Sequence, residues 1–315
     1  MALAFSDQVA STTTNLLEDF AEDNIYGDAP LWYHMRETGQ IVKRGGGAIQ
    51  IDTIYAKITA AGSYQRYDNL DTTANETDTA LKADWRLYYV HNIISRHEIL
   101  LNSGDSAKVS LIESKTKNAH LKMADQLSTD LFSTNADSAT GIVGLRNLAS
   151  TSTTHHNLPP ADFATWIADV DATNSAIALS TLEAGYTDAT IGSDMPDTIV
   201  TNKAVYKKYW SLLTNNQRYG EQLTASGGFK YLLFNGVPVF FDSHSPGTGT
   251  GTADNWLFML NSKHFFLYVH EDDNMTVTKL PTPINQDIMV HRLTLTCQAI
   301  TTNRRMCAAF SVLKP

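Results

Sequence analysis

The sixteen residues YLLFNGVPVFFDSHSP, Tyr231 to Pro246, are apolar enough for a buried strand, yet Gly236 and Pro238 interrupt them. Asn235-Gly236 is the dipeptide that best tolerates the positive φ angles of a tight hairpin turn. Proline cannot donate to a sheet ladder, so Pro238 belongs at an edge or where one strand gives way to the next. The stretch therefore reads as two short strands, at about 230–234 and 237–242, folded back on each other before the polar run from Asp242 to Pro246.

The chain around it has 315 residues, enough for a large core or two to three subdomains. Hydrophobic residues make up 43% and charged residues 18%, the balance of a globular rather than a disordered chain. Ser, Thr and Asn are abundant instead of charge, so much of the surface can be buried against neighbours at little desolvation cost, which favours assembly. Net charge is −9 without a block of consecutive Lys or Arg, so the basic footprint of sequence-independent nucleic-acid binding is missing. Cys297 and Cys307 are the only cysteines. They argue against a disulfide-stapled secreted fold, carry no zinc spacing, and read as free thiols in a reducing cytosol. The first twenty residues lack the basic and apolar regions of a signal peptide, and no window approaches the roughly 18 apolar residues of a membrane helix. No membrane partner is expected.

Upstream, residues 5–26 show a weak helical spacing of apolar positions, and DAPLWYHM (Asp28 to Met35) follows, where Pro30 is expected to stop any helix. This reads as an N-terminal arm that needs a surface to lie against. Gly45-Gly46-Gly47 lacks the Lys-Ser/Thr ending of a phosphate loop and instead opens a strand with Ile49, Ile51 and Tyr55 on one face. A second strand-like run, Trp85 to Ile94, would reach about 33 Å. The polar residues Thr59 to Ala83 between the two make an extended hairpin that a partner surface should cover.

From Asp105 to about Ser133, the positions Val109, Ile112, Ala119, Met123, Leu127 and Leu131 form a stripe at three-to-four spacing, a helix of about 43 Å. TGIVGLRNL (Thr140 to Leu148) and a Ser/Thr/His/Pro loop at 149–160 follow. Phe163 to Leu182 reads as an amphipathic helix, and PDTIVTNKAVYKKYW as a short buried strand turning at Thr201-Asn202 into a helix, with Thr201 or Asn202 as its N-cap. Beyond the opening stretch, NWLFMLNSKHFFLYVH gives two strands about Asn261-Ser262. Ile288–Cys297 and Met306–Leu313 read as long strands paired through a turn near Thr302-Asn303.

In this order the chain resembles the major capsid proteins of tailed bacteriophages, which share the Hong Kong 97-like fold. The resemblance is carried by DAPLW, the GGG-to-strand start of the hairpin, the helix at 105–133, GIVGLRNL, PDTIVTNKAVYKKYW and LLFNGVPVFFDSHSP. It implies an α+β fold: an N-terminal arm (1–44), an extended hairpin or E-loop (45–90), a peripheral domain (91–154 and 286–315) with a spine helix at 105–133, and an axial domain (155–285). It also implies a structural protein of the virion, made in the host bacterial cytoplasm, that self-assembles as pentamers and hexamers into an icosahedral shell around double-stranded DNA. Implied partners are further copies of itself, a separate scaffolding protein because the arm begins almost at Met1, a portal, and decoration proteins in some shells. The packaged DNA would make few direct contacts. Subunit contacts are expected at Trp32, Tyr64, Arg66, Tyr67, Trp85, Arg304 and Arg305.

No catalytic, cofactor or metal site is expected. His97-Glu98 lacks the second histidine of a zinc protease at position 101, so His91 and His97 read as strand histidines. HEDDN (His270 to Asn274) lacks the distant Glu of a calcium loop and reads as a solvated turn. His155-His156 reads as part of a surface loop, and Asn303-Arg304-Arg305 as a hairpin tip that pairs with an acidic neighbour. No Gly-x-Ser-x-Gly elbow is present. The Lys–Asn cross-link of some relatives has Lys57, Lys82 and Asn303 available but no identifiable catalytic carboxylate, and is not expected. An encapsulin-like compartment and a soluble α/β enzyme are the alternative readings.

Overall fold

Pro30 starts a helix rather than stopping one. In the computed structural model, which describes residues 30–101, 105–172, 176–213, 232–247, 255–282, 285–311 and 313, helix α1 spans Pro30–Glu37. The missing N–H and fixed φ of proline suit the first helical position, where no intrahelical bond is lost. The helix ends at Gly39, whose φ of +72° is the left-handed cap conformation. The helical spacing at residues 5–26 lies outside the described residues.

Strands β1 (Ile41–Arg44), β2 (Ile49–Ile54), β3 (Asp78–Ala83) and β4 (Arg86–Ser95) follow, then the short helix α2 (Arg96–Leu101) and the long helix α3 (Asp105–Leu131). His97 therefore sits on a helix, not on a strand with His91. The hairpin also pairs differently from expectation. β2 pairs antiparallel with β3, with Ile49 opposite Ala83 and Ile51 opposite Leu81, whereas β4 pairs along its whole length with a C-terminal strand. β3 was hidden because DTALKA carries one large apolar side chain, yet Leu81 and Ala83 fall on the face that buries Ile49.

Helix α4 is the single turn Leu145–Leu148. A 3₁₀ turn at Ala164–Trp166 and strand β5 (Asp169–Asp171) occupy the start of the segment expected to be one helix, and α5 runs only from Leu179 to Asp188. Pairing of β5 with the C-terminal strand overrides its helical spacing. β6 (Thr198–Thr201) turns into α6 (Lys203–Leu212) as expected, with the Asn202 side chain accepting from the Val205 N–H at 2.9 Å. β7 (Leu232–Phe234) and β8 (Val237–Phe241) form the expected hairpin, with Asn235 and Gly236 at φ of +49° and +82°. β8 is second from the sheet edge; Pro238 is tolerated because it faces Leu233 of β7 and precedes the residues 239–241 that pair with β6.

The last strands are β9 (Leu257–Leu260), β10 (Phe265–His270), β11 (Thr276–Leu280), β12 (Ile288–Thr301) and β13 (Ala308–Phe310). β12 and β13 do not pair with each other. β12 runs through a five-stranded sheet, ordered β1-β10-β12-β11 with β4 also on β12, while β13 joins a six-stranded sheet ordered β5-β13-β9-β6-β8-β7. The 3₁₀ turn Arg304–Met306 redirects the chain between them. The sheets thus ignore the expected boundary at 285/286, since β10 and β11 lie with β12 and β13 lies with β9.

Helix α3 presents Met123, Leu127 and Leu131 to the inner face of the five-stranded sheet, where Tyr88, Leu293 and Leu295 meet them in the main core, and Ala119 is buried one turn earlier. The side chains of Val109 and Ile112 lie outside the described residues. Tyr88 ties three elements together: its hydroxyl donates to Asp130 on α3 at 2.7 Å and accepts from the Ile142 N–H at 2.8 Å. A second core under the six-stranded sheet packs Val205 and Tyr209 of α6 against Ile199, Val239 and Phe310. No helix among the described residues is long and apolar enough to cross a membrane.

Candidate functional site

The β2–β3 hairpin is rooted by a third, smaller core. Ile49, Leu81 and Ala83 pack against Leu158, Trp166 and Ile300. Burying side chains such as Ile49 and Leu81, both 0% exposed, contributes about 2 kcal/mol each. The Asn157 side chain holds the outer edge of β3, donating to the Ala80 carbonyl at 2.8 Å and accepting from the Lys82 N–H at 2.7 Å. Trp85 closes the base: its indole N–H donates to the Gly46 carbonyl at 2.8 Å, and its ring meets His270 edge-on at 5.1 Å. Further out, Tyr55 packs edge-on to Phe163 at 4.8 Å.

Beyond that root, none of the described residues covers the hairpin. Every residue from Ala61 to Glu76 is exposed, and Ile54, Ile58, Tyr64, Tyr67 and Leu70 project into solvent. Arg66 lies over the Tyr67 ring at 5.5 Å. A second apolar surface lies on the sheet. β4 borders β12 on one side only among the described residues, and its outer face carries Leu87, Tyr89, His91 and Ile93, all exposed. Their neighbours across the ladder on β12 are Thr296, Thr294, Arg292 and Val290. A largely apolar ladder, interrupted by His91, beside a strand edge unpartnered among the described residues invites association.

The seven expected contact residues divide. Tyr64, Arg66 and Tyr67 lie together on the hairpin, Arg305 is exposed on the 3₁₀ turn, and Trp85 is half-buried at the root. Trp32 and Arg304 are not surface residues. Trp32 is 4% exposed in the chain's own core, because α1 folds back on α3 and β10. Arg304 is fully buried, donating to the carbonyls of Asn147, Leu148 and Ser150, and its guanidinium lies over Trp166. Burial lowers its pKa to about 10, so it stays charged at neutral pH.

The sequence reading missed the β4 ladder, although the alternation in Leu87, Tyr89, His91 and Ile93 was there to find. It also missed Asn157 and misplaced the histidines beside it. His155 and His156, expected on a surface loop, are 2% and 5% exposed, packed behind the hairpin root. The HEDDN turn is solvated at Glu271, Asp272 and Asn274, as expected, while Asp273 turns inward and accepts from the hydroxyls of Thr294 and Thr296 at 2.5 Å each. Among the described residues, no three His, Cys, Asp or Glu side chains converge to hold a metal.

Comparison with known proteins places this arrangement. No family model and no curated protein sequence matches the chain. Solved structures do. The capsid of cyanophage A-1(L) superimposes with a TM-score of 0.62 over 88% of this chain and 91% of its own, at 15% identity. The capsid of a native GTA particle gives 0.63 over 89% of both chains at 11% identity. The chain has the Hong Kong 97-like capsid fold. The SrpI encapsulin of Synechococcus elongatus also shares this fold with the chain, with a TM-score of 0.58 over 87% of this chain and 85% of its own, at 10% identity.

Proposed function

We propose that the chain is a major capsid protein whose copies assemble as pentamers and hexamers into an icosahedral shell around double-stranded DNA. The observation that carries this is the uncovered hairpin. A segment with Ile54, Ile58, Tyr64, Tyr67 and Leu70 in solvent is a poor end state for an isolated subunit, and the fold is that of capsid chains. The ladder Leu87-Tyr89-His91-Ile93 is the surface on which a neighbour's hairpin would lie. Each such contact is heterologous, joining different patches on the two copies, and closes into rings. Several modest contacts per subunit then act together. The buried Arg304 and the net charge of −9 support a shell that encloses DNA with few direct contacts.

A scaffolding protein and a portal are the expected helpers; one of the similar structures is a satellite phage P4 procapsid that includes a size determination protein. The likeness to an encapsulin supports a second reading, a protein compartment. Sedimentation velocity with negative-stain imaging tests the shell reading, with and without co-expressed scaffolding protein. Closed particles or rings of five and six are expected, and a monomer or dimer under both conditions rejects it. Nuclease-protected DNA inside particles from infected cells distinguishes capsid from compartment.

A further inference from the structure

The four residues His155-His156-Asn157-Leu158 form one tight turn, closed by reciprocal backbone bonds between His155 and Leu158 at 3.1 and 3.3 Å. Its second half grips the hairpin: Asn157 holds both backbone groups of β3 described above, and Leu158, 1% exposed, packs on Ile49 and Leu81. Its first half is buried behind. The two imidazoles lie 4.2 Å apart, and His155 also faces Trp166 at 5.7 Å. Neither ring nitrogen of His155 has a hydrogen-bond partner among the described residues. His156 adopts a φ of +55°, a conformation that costs a non-glycine residue energy and holds only while the surroundings enforce it.

The charged and titratable groups around the pair come from three elements. Arg304 approaches from the 3₁₀ turn before β13, its guanidinium over the Trp166 ring at 5.5 Å, and raises the local positive potential. Asp137, from the loop after α3, lies 2.9 Å from Nδ1 of His156. Each histidine faces the other. The carboxylate at hand is thus on His156, while His155 sits between an imidazole and a guanidinium without an acceptor.

We propose that this turn is a proton-operated latch on the hairpin: seated while His155 is neutral, and expelled when His155 takes a proton, freeing β3. A cation formed there would be desolvated, unpaired and close to Arg304, whereas in the expelled turn water would solvate it. Burial, then His156 and Arg304, hold the seated ring well below the ordinary histidine range. The expelled state therefore binds the proton that the seated state refuses, and each pH unit below about 6.5 raises its population about tenfold. Because Asn157 and Leu158 are the next two residues, expelling the pair removes the clamp on Ala80 and Lys82 together with the plug on Leu81. The inference concerns the subunit and holds whether or not shells form.

Hydrogen exchange of the dispersed full-length subunit between pH 7.5 and 5.0 tests it. The Lys82 amide is the direct reporter, since its proton is bonded to Asn157. Its protection factor is expected to fall about tenfold per pH unit below about 6.5, while amides in the middle of β12 hold theirs. His155→Phe, which keeps a ring against Trp166 and removes the titrating group, should make Lys82 indifferent to pH. Protection at Lys82 that stays level in the natural chain, or falls equally in His155→Phe, overturns the latch. If the variant does not fold, carbon NMR of the His155 ring in the natural chain decides. A ring that titrates near 6.5 while Lys82 remains protected overturns the proposal; a ring that stays neutral until Lys82 is released supports it.

Discussion

Arg304 holds the carbonyl oxygen of Leu148 with two nitrogens at once, Nε at 2.9 Å and Nη2 at 2.7 Å, across 156 residues of sequence. The same guanidinium reaches the Asn147 carbonyl at 3.2 Å and that of Ser150. One buried cation thereby satisfies carbonyls at the C-terminal end of the single-turn helix α4 and joins the 142–150 segment to the C-terminal strands.

Replacing Arg304 tests that account. Arg304→Ala takes donors from the buried carbonyls of Asn147 and Leu148 and the half-buried one of Ser150, and should cost the dispersed subunit about 3 kcal/mol or more. Arg304→Lys keeps the charge but loses the fork, and should recover less than half of the loss. The urea midpoint at constant slope measures both. A loss under 1 kcal/mol for the alanine variant would sink the idea.

A partly buried histidine behaves oppositely to His155. His244 sits between Asp242 at 3.3 Å and Asp125 of α3 at 3.0 Å, linking the turn after β8 to the long helix. Its hydrogen bond to Asp242, then that to Asp125, outweigh burial and raise its pKa to about 9. The folded state holds this proton more tightly than the unfolded chain, so the stabilisation is complete below about 6.5 and is lost as pH rises through about 9. Allowing for solvent at the half-exposed Asp125, the loss should be about 1–2 kcal/mol. Urea unfolding at pH 6.5 and 9.5 should show a loss larger by this amount in the natural chain than in His244→Asn, since the buried thiols of Cys297 and Cys307, whose pKa burial raises, lower the stability of both proteins alike at the higher pH.

Two glycines should answer to alanine for different reasons. Gly236 has a φ of +82° with open space where a Cβ would go, so Gly236→Ala costs only its backbone conformation, about 1 kcal/mol. Gly144 has an ordinary φ, but a Cβ there would stand 2.1 Å from the Ser133 carbonyl oxygen. Gly144→Ala must push backbone aside and should cost about 3 kcal/mol or more. Equal midpoints for the two variants would contradict these contacts.

The assembly surfaces are separable from the fold. Replacing residues 57–75 by a short Asn-Gly turn keeps β2, β3 and the buried Leu81, so subunit stability should stay within about 0.5 kcal/mol while particle formation is lost. Tyr89→Asp on β4 should act alike, since Tyr89 is 66% exposed. Sedimentation velocity reads assembly and urea unfolding reads the subunit. Normal particles from either variant would remove that surface from the proposed contacts. Deleting all of Thr59–Ala83 is a poorer test, because it takes β3 and its buried residues as well.

The local signals were legible where one residue or one period governs the geometry. Asn235-Gly236 marked a turn because few other pairs accept its φ angles; Asn202 marked a helix start because its side chain replaces a missing backbone acceptor; and Ala119, Met123, Leu127 and Leu131 marked a long helix because their spacing buries one stripe. What the tertiary structure alone decided was pairing and burial between distant segments. β4 chose β12 over β2, and β13 left β12 for β9, because a strand's partner is set by which apolar faces meet across the fold and not by nearness in sequence. Arg304 and the His155-His156 pair looked like surface residues because polar side chains usually are. Their burial depends on carbonyls, rings and a carboxylate supplied from elsewhere in the chain, which a one-dimensional pattern does not contain.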